Sequence, residues 1–130
     1  MRVVLDTNVL IAGVVADGLC RNLVRRHARE HELFTSVELL VELAEKLKTK
    51  FGEDPSDLPL MAIYQNQVKR VKPLQLAQPI CRDADDEIVL ATALAAKADI
   101  IVTGDDDLLV LKQFQDIRIL SPRQFLELLS

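Results

Sequence analysis

Arg2-Val3-Val4-Leu5-Asp6-Thr7-Asn8 is the stretch whose reading decides the fold. A β-branched apolar run of this length reads as a short buried strand, and it stops on a carboxylate. An acid directly after Val-Val-Leu loses hydration unless something pairs with it, and no basic residue follows Arg2 nearby. The pattern returns at Ile100-Ile101-Val102-Thr103-Gly104-Asp105, and a third acidic run, Cys81-Arg82-Asp83-Ala84-Asp85-Asp86, opens a helical segment. Strands alternating with helices imply a parallel sheet covered on both faces. Right-handed crossovers bring the carboxyl ends of such strands to one edge, where open α/β folds bind ligands. Asp6 and Asp105 are therefore expected to share that edge.

The chain has 130 residues, 49% apolar and 28% charged, which excludes disorder and suits one domain over residues 1–130. Its longest uncharged apolar-rich stretch, Ile88 to Ala96, falls well short of the roughly 20 residues that span a bilayer. An acid at position 6 comes too early for a secretory apolar region, so the expected setting is cytoplasmic, with no membrane partner. Cys20 and Cys81 stand at no metal-like spacing and read as reduced thiols. A net charge of −4 looks unfavourable for binding nucleic acid, yet charges can be segregated and a metal inverts the local sign.

Between the two strand ends, Val9 to Val15 reads as a helical segment or turn, and Leu19 to Glu32 as a helix with Arg21, Arg25 and Arg29 on its outer side. Leu33 to Thr35 is a brief strand. Ser36 caps a helix to about Phe51, with Leu39, Leu40, Leu43 and Leu47 as its core stripe. Gly52 to Pro59 is the strongest loop signal. A helix from about Leu60 to Val71 precedes Lys72 to Pro79, a connection with room for a strand. A helix from near Ala84 to about Lys97 is apolar nearly all round from Ile88 to Ala96, so it should be buried. Leu108 to Phe114 reads as helical, Arg118 to Leu120 as a strand, and Ser121-Pro122 as the cap of a last helix.

The acids divide by position. Asp83 and Asp85 read as cap and first-turn residues complementing the helix dipole, and Asp86, deeper in the buried helix, as functional. Asp105, Asp106 and Asp107 fit a solvated turn and helix cap as well as they fit a site. Clustered carboxylates repel one another and splay or protonate unless countercharged. A hard divalent cation resolves this, and an all-oxygen donor set suits Mg2+ or Mn2+ rather than Zn2+. Water activated on such an ion serves phosphodiester hydrolysis.

These residues resemble a known family. Val3-Val4-Leu5-Asp6-Thr7-Asn8-Val9-Leu10-Ile11 is similar to the opening of PIN-domain proteins. Asp86-Glu87-Ile88-Val89-Leu90-Ala91-Thr92-Ala93 resembles their third acidic motif, and Ile101 to Leu108 their fourth. The closing Leu120 to Leu129 resembles the end of bacterial single-domain members, many of them VapC-like toxins of toxin–antitoxin pairs. The resemblance implies a three-layer α/β/α sandwich with a mostly parallel central sheet, and a Mg2+- or Mn2+-dependent ribonuclease. It implies Asp6, Glu42, Asp86 and Asp105 as the catalytic, metal-holding pocket, with Asp107 as a further ligand. Glu42 is carried by the resemblance alone, because periodicity puts it on a solvated face; Glu38, one turn earlier, is the fallback. Asn8 and Thr103 match positions that orient carboxylates or phosphate. The implied reaction is in-line hydrolysis of single-stranded or structured RNA to a 5′-phosphate and 3′-hydroxyl. The implied partners are an antitoxin protein and a second copy of the chain.

Other signals point elsewhere or nowhere. His27 and His31 have metal-gripping spacing but lie on the apolar side of their helix with no third ligand close by. The arginine stripe, with Lys46, Lys48, Lys50, Lys69, Arg70 and Lys72, reads as solvated surface, with contact to RNA phosphates as the alternative. Aromatics are too few for base-stacking platforms. A non-catalytic Mg2+-binding module, either a signalling receiver or an RNA-binding domain, competes with the nuclease. A receiver needs an acceptor Asp after its third strand and a Lys after its last, and neither is placed. A phosphatase of the haloacid-dehalogenase type needs an acid two residues after Asp6, where Asn8 stands.

Overall fold

The computed structural model describes residues 1–27 and 30–129. The opening run forms β1 (Arg2–Leu5), followed by α1 (Thr7–Val15), α2 (Leu19–Asn22) and β2 (Glu32–Thr35). Next come α3 (Val37–Phe51), α4 (Pro59–Gln67), β3 (Lys69–Arg70), α5 (Ala84–Ala96) and β4 (Ile100–Val102). The chain closes with α6 (Asp106–Leu109), β5 (Gln113–Phe114), β6 (Ile117–Leu120) and α7 (Pro122–Leu129). Among the described residues, six strands form one sheet in the order β3-β2-β1-β4-β6-β5, parallel throughout except for the edge pair β5–β6. Helices cover both faces, giving a three-layer α/β/α sandwich with a mostly parallel central sheet.

Strand alternation sorts the core into two layers. Val3, Leu5, Leu33, Ile100 and Val102 face α1, α3, α4 and α7. Val4, Phe34, Ile101, Ile117 and Ile119 face α5 and α6. Helix α5 is apolar all round because it is covered twice, by the sheet on one side and by the extended segment 71–81 on the other. Leu76 and Cys81 from that segment pack against its cluster, and the Leu74 N–H donates to the Ala91 carbonyl at 3.1 Å. Among the described residues, no single helix is long and apolar enough to cross a membrane.

Helix ends follow local chemistry. Ser36 Oγ accepts from the Leu39 N–H, as its capping position requires, and Thr92 of α5 donates to the same oxygen at 2.9 Å inside the core. Gly52 closes α3 at φ 65°, where a side chain would be strained. Arg21 is a structural residue rather than a free member of a basic stripe: its guanidinium donates to the carbonyls of Gly13 and Val14 at the end of α1.

Three expectations are corrected. The helix expected from Leu19 to Glu32 stops early. An α-helical start gives way to a π-helical turn over Leu23–His27, and Glu32 is already extended, its N–H bonded to the Met1 carbonyl. Arg29 and the side chain of His27 lie outside the described residues; His31 packs edge-on against Phe125 at 5.7 Å. The helix expected to reach Val71 ends at Gln67, because Lys69 and Arg70 pair with Phe34 and Thr35 as an edge strand; Lys72 to Pro79 holds no strand. The helix expected over Leu108–Phe114 begins two residues sooner and ends at Leu109. The chain then turns through positive φ at Lys112 and Gln115 into the β5–β6 hairpin.

Leu90 is fully buried within α5, so Leu90→Ala should cost about 2–5 kcal/mol through lost contacts and a cavity. Val110 is 71% exposed, and Val110→Ala should stay within about 0.5 kcal/mol of the parent. Urea denaturation midpoints measure both; similar midpoints for the two variants would contradict the burial of α5.

Candidate metal centre

Leu5 pairs with Val102 across the parallel β1–β4 seam, so the chain leaves both strands at the same level of the sheet. From β1 the chain proceeds outward through β2 and β3, and then returns to begin the other half at β4. The seam is therefore the topological switch point, where loops diverge and leave a crevice.

Asp6 sits at that crevice and is 5% exposed. It caps α1, its Oδ1 accepting from the Thr7 N–H at 2.7 Å. Oδ2 accepts from the Thr103 hydroxyl at 2.8 Å and from the Asn8 amide at 3.4 Å. Thr103, with no exposed surface, also accepts from the Asp105 N–H at 3.0 Å, so one hydroxyl fixes both strand-end acids. Asn8 completes the crossing: its Oδ1 accepts from the Gly104 N–H at 3.1 Å. Burial pushes the Asp6 carboxyl above its ordinary range; the bonds from Thr103 and Thr7 pull it down, and the charges of Glu42 and Asp105 push it up again.

Glu42 reaches the same place from α3. Its Oε1 lies 3.2 Å from the Thr7 hydroxyl, which is itself 3.5 Å from Asp6 Oδ1. Glu38, the fallback one turn earlier, is exposed. The Lys46 ammonium, four residues on, is 2.6 Å from Glu42 Oε1. Burial works against that ammonium, but the bond and charge of Glu42, with Asp85 and Asp6 beyond, hold it above its usual range.

On the other side, oxygens of Asp86, Asp105 and Asp107 all lie within 4.8 Å of one another. Asp86 comes from the first turn of α5 and is 5% exposed; its Oδ2 is buried without a hydrogen-bond partner. Burial, a shared hydrogen bond with Asp105, and the charges of Asp105, Asp83 and Asp6 raise its carboxyl to about 7. Asp105 caps α6 through the Asp107 N–H at 2.9 Å, so turn, cap and cluster member are one residue. Asp107 Oδ1 meets Arg82 Nη2 at 2.9 Å. Asp83 caps α5 through the Asp85 N–H, and Asp85 is exposed. The Glu87 carboxylate receives the N–H groups of Ile80 and Cys81 and so seats the loop before α5. Cys81 is held as a thiol: burial and the charges of Glu87, Asp86, Asp105 and Asp107 push it up to about 11.

Asp6, Glu42, Asp86, Asp105, Asp107, Asn8 and Thr103 thus gather at one crevice. They fall into two halves. Around Asp6 and Glu42 the inward oxygens are hydrogen-bonded or ion-paired. Around Asp86, although Asp105 accepts from the Asp107 N–H and Asp107 pairs with Arg82, Asp86 Oδ2 is left without a partner. Thr7 and Arg82 also belong here without having been singled out from the sequence, and Lys46, expected on a solvated basic surface, is drawn in by Glu42. Thr7 follows Asp6 directly, and Lys46 is four residues from Glu42, the spacing of a helical ion pair. The donor set fits a hard divalent cation: three carboxylates converge, and one buried oxygen among them has nothing to bond.

In the metal-free protein Asp86 keeps its proton to about pH 7, whereas the unfolded chain releases it near the ordinary value of 3.8. Between those values the folded state binds more protons, so this contribution to stability is lost as pH rises through the window. Asp6, also raised, acts with the same sign. Chelator-treated protein should melt higher at pH 5 than at pH 8, and Asp86→Asn should flatten that difference. An unchanged slope in the variant, read by thermal melts across pH, would place the proton elsewhere.

No curated protein matches the chain significantly. The family model described as PIN domain matches residues 2–107, from β1 through the fourth acidic stretch; the resemblance read in the closing residues lies beyond it. PIN domains are generally nucleases with metal-binding acidic residues, and the cluster of Asp86, Asp105 and Asp107 is compatible with that chemistry. With that match over most of its length, the chain belongs to the PIN-domain family.

Proposed function

We propose that this protein is a cytoplasmic endoribonuclease dependent on Mg2+ or Mn2+, and the VapC-like toxin of a toxin–antitoxin pair. The observation that carries the reading is the buried, unpartnered Oδ2 of Asp86 inside a cluster with Asp105 and Asp107, beside Asp6 at the switch point. Asp86, Asp105 and Asp107 would hold the ion, with Asp6 and Glu42 lining the same pocket. A divalent ion there supplies charge to phosphoryl oxygens and lowers the pKa of water.

The chain's own residues have separable tasks. Thr103 and Asn8 clamp Asp6 across the strand seam, so that its carboxylate keeps one orientation. Lys46 and Arg82 flank the acids from opposite elements and offer positive charge to a phosphodiester backbone that the overall charge of −4 would repel. The Arg82 side chain is 87% exposed, so a phosphate can compete with Asp107 for its guanidinium. The scarcity of aromatics leaves backbone contact rather than base stacking as the means of holding RNA, so binding should weaken steeply with salt. An antitoxin would neutralise the enzyme by covering this crevice, and a second copy of the chain would complete the family's habitual dimer.

Purified protein should cut single-stranded RNA with Mn2+ or Mg2+ and lose this with chelator. Asp86→Asn should lower the rate by about two orders of magnitude, some 3 kcal/mol of barrier, while the fold remains. Undiminished cleavage by Asp86→Asn removes the assignment. Induced expression in a bacterial host should arrest growth, and the same substitution should relieve the arrest; growth unaffected by the parent chain would count against the toxin role alone.

A further inference from the structure

The acidic pocket is unevenly satisfied, and the unevenness has a pattern. Asp86, Asp105 and Asp107 present oxygens within 4.8 Å of one another, and among them Asp86 Oδ2 has no hydrogen-bond partner. On the opposite side both Asp6 oxygens already accept hydrogen bonds, one from the Thr7 N–H and one from Thr103 and Asn8. Glu42 Oε1 is approached by the Thr7 hydroxyl and, more closely, by the Lys46 ammonium at 2.6 Å. Two-metal phosphodiester hydrolases space their ions about 3.5–4 Å apart, each on carboxylates of a shared pocket. A second ion here would need the Glu42–Asp6 half, where the ammonium already stands.

We infer that Lys46 is the pocket's built-in second cation: its ammonium, held on Glu42, takes the second divalent ion's place, so the protein binds one ion, at Asp86, Asp105 and Asp107. The assignment rests on the nuclease reading of the pocket and goes beyond it by fixing the metal count and giving Lys46 a task. Several features favour a fixed charge over an ordinary surface pair. The pair joins i and i+4 on one helix, so α3 itself sets its geometry. The Glu42 side chain is 14% exposed and that of Lys46 33%, which places the contact largely out of solvent. The ammonium is also within electrostatic reach of Asp6 and Asp85, so it balances charge from α1 and α5 as well as its own helix. Lysine is a compact, hydrated point charge with three donors, one of which is used on Glu42.

The count can be read directly. Metal-free protein is titrated with Mn2+, and the free ion is followed by its electron paramagnetic resonance signal. The parent chain should take up one Mn2+ and Lys46→Met two, whereas Lys46→Arg, which keeps the charge, should remain at one. Lys46→Gln, polar and of similar length, should behave as Lys46→Met and guards against a folding defect in the apolar variant. Two ions in the parent chain, or one in both neutral variants, would reduce Lys46 to a helical ion pair and leave the nuclease reading intact. Parent protein that binds no Mn2+ would overturn the metal site itself and this assignment with it.

Discussion

The structure depends on the hydroxyl of Thr103. It donates to Asp6 and accepts from the Asp105 backbone, tying the ends of two parallel strands that are nearly a hundred residues apart in sequence. The bond is of ordinary length at 2.8 Å, and Thr103 is fully buried, so water does not compete for it. It exists because β1 and β4 are neighbours in register, which in turn requires the chain to place β2 and β3 on one side of β1 before starting the other half. Moving β4 by one residue would turn Thr103 to the opposite face and separate the acids.

That convergence creates an electrostatic problem, which the chain relieves in three different ways. Asp6 is relieved by hydrogen bonds, Glu42 by the Lys46 ammonium, and Asp107 by Arg82. Asp86 Oδ2 has neither a donor nor a cation beside it, and burial with the neighbouring acids raises its carboxyl to about 7. The difference is chemical rather than incidental. A carboxyl whose protonated form is favoured near neutrality exchanges that proton readily for a stronger cation, whereas one saturated with neutral donors has less to gain.

The sequence made the strand ends legible because each joins two independent signals, a β-branched run and an acid at its end, and parallel topology then dictates adjacency. The buried α5 was legible for a similar reason, since its composition admits no exposed face; its second cover, the segment 71–81, was not, because irregular chain carries no period. The misread elements share a cause. Lys69 and Arg70 form a strand through backbone pairing alone, with exposed charged side chains that suit a sheet edge and mimic the end of a helix. Lys112 and Gln115 adopt positive φ without glycine, so no turn signal marks the last hairpin. Glu42 was legible only by resemblance: the polar side of α3 looks solvated until α1 is seen to place Thr7 against it.

Four of the gathered acids also cap helices or open them: Asp6 caps α1, Asp105 caps α6, and Asp86 and Asp107 stand in the first turns of α5 and α6. Partial positive charge at a helix start favours a carboxylate there whether or not a cation ever arrives. The same residue can therefore be retained for folding and for chemistry, and truncating it to alanine would confound the two. Asparagine separates them, because its amide oxygen can still accept the capping N–H while the negative charge is gone. Whatever function survives that exchange belongs to the cap, and whatever is lost belongs to the charge.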